Sequence, residues 1–218
     1  MVSIKDKVYT IATALLVGSA IVIAGMAIHQ EFFEKPDMTA GLQFVDGWEN
    51  ITTGSFTEGN EEAPITILKF YDYQCPFCKQ INTELEHLIE EYPELIKIQY
   101  VHNPLANHEY AYSAAKASEC AREQQMFKPF HNALFNYQSE LGTLSLIHAA
   151  EKAGVNDLEK LSSCIENNMT AEIVNEHLAL SEELNISAIP TIMMNGWIIE
   201  GAAPFEYLDR MADYLTDL

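Results

Sequence analysis

Basic residues are scarce in this chain. Its 218 residues hold 12 Lys and Arg against 32 Asp and Glu, a formal net charge of −20, and only Lys5, Asp6 and Lys7 of these precede Glu31. A surface this acidic repels nucleic-acid phosphates and anionic lipid head groups, which excludes nucleic acid as a partner. The same charge suits a soluble, self-repelling surface and by itself assigns no function. Cysteine is scarce as well, limited to Cys75, Cys78, Cys120 and Cys164. No cysteine stands just after the N-terminal apolar run, so a lipid-modified terminal cysteine has no candidate residue. A structural zinc site wants a second closely spaced pair, and Cys120 and Cys164 are not one. Internal repeats and low-complexity tracts are missing too, which excludes solenoid and array architectures.

Charge is absent altogether from Val8 to Ile28, a run of 21 residues. At about 1.5 Å per helical residue it can cross roughly 30 Å of hydrocarbon. Lys5 and Lys7 before it predict an N-in, C-out orientation. Gly25-Met26-Ala27 offers small residues for a signal-peptide cleavage site, but the run exceeds the roughly 7 to 15 residues of a signal core, which favours an uncleaved anchor. Either way the folded part is expected outside the cytoplasm, where disulfides persist. The division that follows is an anchor or signal peptide over 1–30, a tether over 31–63 and a domain over 64–218. The tether reading rests on Pro36, Gly41, Gly47, Gly54 and Gly59 among acids. Phe44, Val45, Trp48 and Ile51 are too apolar for full disorder, so part of the segment is expected to dock on the domain or to form an edge hairpin.

Cys75-Pro76-Phe77-Cys78 carries the chemistry. It follows an apolar, strand-like run from Ile65 to Tyr71 and opens a helical pattern that continues to about Glu91, with Phe77, Ile81, Leu85, Leu88 and Ile89 on one face. Two thiols at a helix start can close a small disulfide ring, and the first can ionise against unpaired amide groups and the positive dipole end. Cys75 is therefore expected to be an exposed nucleophile, and Cys78, one turn inside, the resolving thiol. Pro76 suits the first helical turn. After Pro93, Ile96, Ile98 and Tyr100 suggest a second strand, which completes a parallel βαβ unit. Helical patterns then occupy Tyr110–Arg122, Met126–Tyr137, Leu144–Ala153, Leu158–Ile165 and Ala171–Leu184. Thr191–Met194 and Trp197–Ile199 around Asn195-Gly196 predict a hairpin, and Phe205–Leu215 a final helix.

The stretch Phe70-Tyr71-Asp72-Tyr73-Gln74-Cys75-Pro76-Phe77-Cys78 resembles the active-site signature of the DsbA-like thiol-disulfide oxidoreductases. Asn103-Pro104-Leu105 with His108, the Glu123–Phe135 stretch with Phe127 and His131, Ile189-Pro190-Thr191 and Gly201–Phe205 resemble further family segments in order. The resemblance implies an α/β, thioredoxin-like fold with an inserted α-helical subdomain at about 106–184, here preceded by an N-terminal transmembrane helix. It implies a cis bond before Pro190 beside the cysteines, substrate contacts from Pro76, Phe77 and the Ile189 backbone, and no cofactor. Phe77 replaces the His that some members carry between their cysteines, which predicts a less extreme oxidant. Lys69 departs from the pattern, because the family usually has a buried acid there. A buried ammonium would favour thiolate and make the couple more oxidising, a neutral amine could accept a proton, and a snorkelling lysine would do neither.

Cys120 and Cys164, 44 residues apart, are expected to form a structural disulfide, with a second redox pair or two packed free thiols as alternatives. The function expected is disulfide formation in exported cysteine-containing proteins by a monomer recharged by a membrane partner of the DsbB or quinone-reductase type. The alternatives are an isomerase or reductase kept reduced, or a copper or zinc thiol carrier drawing nitrogen from His102, His108 or His131.

Overall fold

The computed structural model describes residues 15–26, 37–142 and 144–216, which belong to two units, Met1–Met38 and Thr39–Leu218. In the first, residues 15–26 are α-helical (α1) and leave Leu15, Leu16, Ile21, Ile23 and Met26 largely exposed. No helix among the described residues is long and apolar enough to cross a membrane. The expected transmembrane helix is thus not observed as an element: the apolar run Val8–Ile28 extends past α1 on both sides, and its residues 8–14 and 27–28 lie outside the described residues.

The second unit is organised around β3 (Ile65–Tyr71), in which every side chain but Thr66 is buried. β3 pairs in parallel with β4 (Ile96–His102), Ile65 opposite Ile96 through Tyr71 opposite His102, with α2 (Pro76–Glu91) crossing between them. On its other side β3 pairs antiparallel with β5 (Thr191–Met194). β5 returns as β6 (Trp197–Glu200) through Asn195-Gly196, whose φ values of 44° and 85° supply the two left-handed positions of a type I′ turn.

The segment expected as a tether contributes, from Thr39 on, both edges of this sheet. β1 (Gln43–Phe44) pairs antiparallel with β6 and β2 (Thr57–Gly59) antiparallel with β4, giving the order β1-β6-β5-β3-β4-β2. The docking takes the form of two separate edge strands rather than a hairpin. Its physical cause is twofold: exposed edges offer unpaired N–H and C=O groups, and Val45, Trp48 and Ile51 between the strands cover the buried cluster Leu68, Phe70, Val101, Met193 and Ile198.

Between β4 and β5 lie α3 (Ala111–Arg122), α4 (Phe127–Asn136), α5 (Leu146–Lys152), α6 (Leu158–Glu166) and α7 (Ala171–Glu183). α5 begins two residues later than its apolar pattern suggests because Ser145 is the N-cap, its hydroxyl accepting the His148 N–H at 3.1 Å. The Cys120–Cys164 disulfide ties α3 to α6. α7 returns the insertion to the sheet: His177 Nδ1 accepts the His102 N–H at 3.1 Å, and its Nε2 donates to the Thr53 carbonyl at 2.9 Å. The last helix, α8 (Phe205–Thr216), packs against α2 and β3.

Candidate active site

Three side chains hold the turn from β3 into α2. The buried carboxylate of Asp72 accepts the Gln74 N–H at 2.6 Å, the Leu105 N–H at 2.8 Å and His108 Nδ1–H at 2.8 Å, which joins the turn to the segment after β4. Gln74 Oε1 accepts the Tyr110 N–H at 2.5 Å. Gln138, beyond α4, donates Nε2–H to the carbonyls of Tyr73 and Cys75, both at 2.8 Å. The helical insertion thereby grips the backbone on which the first cysteine sits.

Cys75 is the N-cap of α2, with extended backbone (φ −79°, ψ 119°), and Pro76 follows at the first helical position. The Cys75 carbonyl accepts the Cys78 N–H at 3.1 Å, so the helix starts between the two thiols. Both cysteines are free thiols. The nucleophile expected to be exposed is only 5% accessible, because the chain before β5 covers it: its Sγ lies 3.9 Å from the Ile189 carbonyl. The Ile189–Pro190 bond is cis, Pro190 is buried, and its carbonyl accepts the Gly201 N–H at 2.8 Å. Cys78 is fully buried, whereas Pro76 is exposed and Phe77 is 62% exposed at the rim.

The two thiols are electrostatically unlike. A hydrogen bond from Cys78, with further help from the Cys78 and Phe77 backbone amides, outweighs partial burial and lowers Cys75 to about 6. Burial pushes Cys78 far up, and its hydrogen bond to Cys75 adds to the shift. The outer sulfur is a thiolate at neutral pH and the inner one a thiol.

Lys69, on the strand that leads to the cysteines, is 0% exposed, which removes the snorkelling alternative. Its Nζ donates to Asn82 Oδ1 at 2.5 Å, stands 3.4 Å from His131 Nε2, and sits 4.9, 5.0 and 5.3 Å from the ring centroids of Tyr71, Tyr100 and Phe135. Burial, with Lys128 adding repulsion, lowers its pKa to about 7. His131 bonds Asn82 Oδ1 at 2.8 Å and Tyr73 Oη at 2.8 Å, and burial holds it well below the usual imidazole range. The Asn82 amide nitrogen donates to Glu86 Oε1 at 3.2 Å, so its oxygen faces inward. His131 must then carry its proton on Nε2 and accept the Tyr73 hydroxyl on Nδ1.

Asp72, Asn82, His131 and Gln138 therefore join the site as residues whose contribution their sequence positions leave hidden. Asn82 alone carries a local signal, a polar residue one turn after Cys78 on the buried stripe of α2. The histidines considered as metal ligands are apart: His102 bonds Glu119 at 2.9 Å, His108 Asp72, and His131 Tyr73 and Asn82. Among the described residues no three His, Cys, Asp or Glu side chains converge as a metal-ligand set. Cys120 and Cys164 are joined in the insertion, apart from the pair at α2.

A family model described as thioredoxin matches residues 52–213. The chain is 30% identical over 139 residues to the Na(+)/H(+) antiporter NhaA 3 of Salinispora tropica, an alignment that covers 63% of this chain and 21% of the antiporter. It thus spans about a fifth of the length of the curated relatives it matches. Its fold is similar to that of BdbD from Bacillus subtilis in the oxidised form, with a TM-score of 0.68 and 24% identity over 76% of this chain and 94% of that one. It is also similar to DsbA of Chlamydia trachomatis, with a TM-score of 0.64 and 20% identity over 74% of this chain and 91% of that one. With a strand–CxxC–helix unit, a proline loop against the first thiol and a helical insertion between the second and third central strands, this chain belongs to the thioredoxin family.

Proposed function

We propose that this chain forms disulfides in exported proteins by dithiol-disulfide exchange through Cys75 and Cys78. One observation carries the reading: an N-cap thiol of lowered pKa stands one helical turn from a buried thiol of raised pKa, under a proline loop. In the oxidised protein a substrate thiolate attacks Cys75 Sγ, the bond to Cys78 breaks, and a mixed disulfide forms. The substrate's second thiolate then attacks its own sulfur in that mixed disulfide. Substrate disulfide departs, and Cys75 leaves as the better, low-pKa thiolate. Pro76 and Phe77 at the rim and the Ile189 backbone supply the substrate surface, with Pro190 shaping the loop. Lys69, as an ammonium, stabilises the reduced pair and makes the couple more oxidising.

The apolar run Val8–Ile28 anchors the domain in a membrane with the catalytic unit outside, beside a membrane redox partner of the DsbB or quinone-reductase type that recharges it. Cys120–Cys164 is the structural bridge of the insertion. The direction of exchange is tested by equilibrating the Cys75/Cys78 couple in glutathione redox buffers, with Cys75→Ala as the control. A potential toward roughly −120 mV is expected, and one near thioredoxin's roughly −270 mV would assign a reductase instead. The same samples should show iodoacetamide trapping of Cys75 half-maximal near pH 6.

A further inference from the structure

The turn that carries Cys75 is closed by one side chain from the insertion. Gln138 opens the 3-10 turn Gln138–Glu140 that follows α4, and its Nε2 stands 2.8 Å from both the Tyr73 and the Cys75 carbonyl. Both partners are acceptors, so the amide can face them only with its nitrogen, and its two hydrogens are both spent there. The carbonyls of the two residues flanking Gln74 are thus drawn to one point. Beside them, Asp72 Oδ1 accepts the Gln74 N–H at 2.6 Å, and the Asp72 carbonyl accepts the Cys75 N–H at 3.2 Å.

The Cys75 carbonyl is the pivot. Besides Gln138 it accepts the Cys78 N–H at 3.1 Å and the Lys79 N–H at 3.3 Å, so its direction is fixed from α2 and from the insertion together. That direction sets ψ of Cys75, which at 119° is extended. An extended N-cap turns its side chain back over the free amides of the first helical turn, whereas a helical ψ would carry the sulfur away from them. Gln138 therefore acts on the sulfur through the backbone. It is also firmly seated, because α4 buries Phe127, Phe130, His131, Leu134 and Phe135. Four residues further on, Gly142 (φ 111°) lies on the ring of Tyr110 so closely that a Cβ there would overlap it. Tyr110 donates its N–H to Gln74 Oε1 at 2.5 Å, and the same segment thereby meets the cysteine turn a second time.

The titratable groups that face Cys75 are Cys78 from α2 and Asp72 from the turn, and Asp72 is engaged by His108 at 2.8 Å. The chain before β5 brings the Ile189 carbonyl and the segment after α4 brings Gln138, neither of which titrates. We propose that Gln138 is a positioning residue for Cys75: by donating to the Tyr73 and Cys75 carbonyls it keeps Cys75 at the helix cap and makes the reactivity of the outer thiol depend on the helical insertion. The inference deepens the disulfide-exchange reading and rests on it. In the dithiol form these bonds hold Cys75 where the Cys78 and Phe77 amides stabilise its thiolate. That thiolate is what departs when a substrate disulfide is released, and what attacks when a partner's disulfide recharges the pair. Gln138 takes up neither proton nor electron in either step. A turn freed from it makes Cys75 a poorer leaving group and the pair a weaker oxidant.

The test compares wild type with Gln138→Met, which keeps the reach and removes both donors, and Gln138→Lys, which restores donors, each in the full chain. Iodoacetamide trapping across pH reads Cys75, and equilibration in glutathione buffers reads the couple. Gln138→Met should raise the trapping midpoint by about one pH unit, the scale of one net hydrogen bond. At pH 7 the same shift should lower the equilibrium constant for oxidising glutathione about fivefold. Gln138→Lys should return both toward wild type. A Gln138→Met midpoint equal to that of wild type overturns the inference. So does a midpoint that rises in Gln138→Met and stays raised in Gln138→Lys, since lost packing rather than lost donation would then be the cause. Wild-type protein with 15N-labelled glutamine provides an arm free of folding effects: the Gln138 side-chain amide signals should shift with the midpoint of Cys75 trapping, and signals that stay still through that range also overturn it. A wild type that exchanges no disulfide with glutathione, while Gln138→Met still moves the trapping midpoint, overturns the exchange reading and leaves the positioning role in place.

Discussion

At the scale of single residues, Lys69 is the most costly feature of the site. An ordinary lysine is protonated up to about pH 10.4, whereas burial brings Lys69 down to about 7. A base with its folded-state pKa lowered costs stability wherever the unfolded chain binds the extra proton. The cost is full below pH 7, shrinks as pH rises from 7 toward 10, and vanishes above. Its size is several kcal/mol at neutral pH, since each pKa unit is about 1.4 kcal/mol. Lys69→Met is therefore expected to be more stable than wild type by a few kcal/mol at pH 7 in urea unfolding, with the gain much reduced at pH 10. An equal or lower stability at pH 7 would mean that the hydrogen bond to Asn82 and the three rings already offset the desolvation. Cys75 follows the opposite sign rule: its lowered pKa stabilises the reduced fold above the unfolded thiol's range, and that contribution is lost as pH falls through about 6. Because the disulfide form lacks this term, the couple loses its oxidising advantage over an ordinary thiol couple such as glutathione on acidification.

Among the elements, α2 and the helical insertion divide the work. α2 places one sulfur at its cap and the other inside its first turn, while Gln138 and Asp72 bring loops from 63 and 33 residues away to the same turn. The insertion must therefore hold its shape for the turn to hold its own. The Cys120–Cys164 bridge between α3 and α6 closes a loop of 44 residues and restricts the unfolded chain accordingly. Replacing both cysteines with alanine should cost roughly 4 kcal/mol in denaturant unfolding and leave the Cys75/Cys78 potential in place. Loss of exchange without loss of stability would instead identify the bridge as a redox relay. Helix α7 adds a second tie through His177, which burial keeps neutral by lowering it to about 4, so that its bonds to His102 and Thr53 persist through ordinary pH.

For the whole molecule, the fold and the N-terminal run make separate contributions. Full-length protein expressed in a bacterial cell is expected in the membrane fraction, resistant to alkaline wash, and residues 39–218 in the soluble fraction with the redox couple intact. Full-length protein released by the wash would remove the anchor from the proposal. Periodicity and capping are local, which is why the sequence alone determined the βαβ unit, the hairpin at Asn195-Gly196, the order of the inserted helices and the position of Cys75 at a helix start. Within α2, spacing alone also places Asn82 beside Cys78, since both obey the 3.6-residue period. Only the tertiary structure decided that Lys69 points inward, that 39–63 contributes two sheet edges, that His131 bonds Tyr73 and Asn82, and that Gln138 reaches the Cys75 carbonyl. Those outcomes depend on partners outside the local window, such as His131 for Lys69, Gln138 for Cys75, and β4 and β6 for the two edge strands, and on competition between burial and solvation, and neither leaves a mark on local pattern.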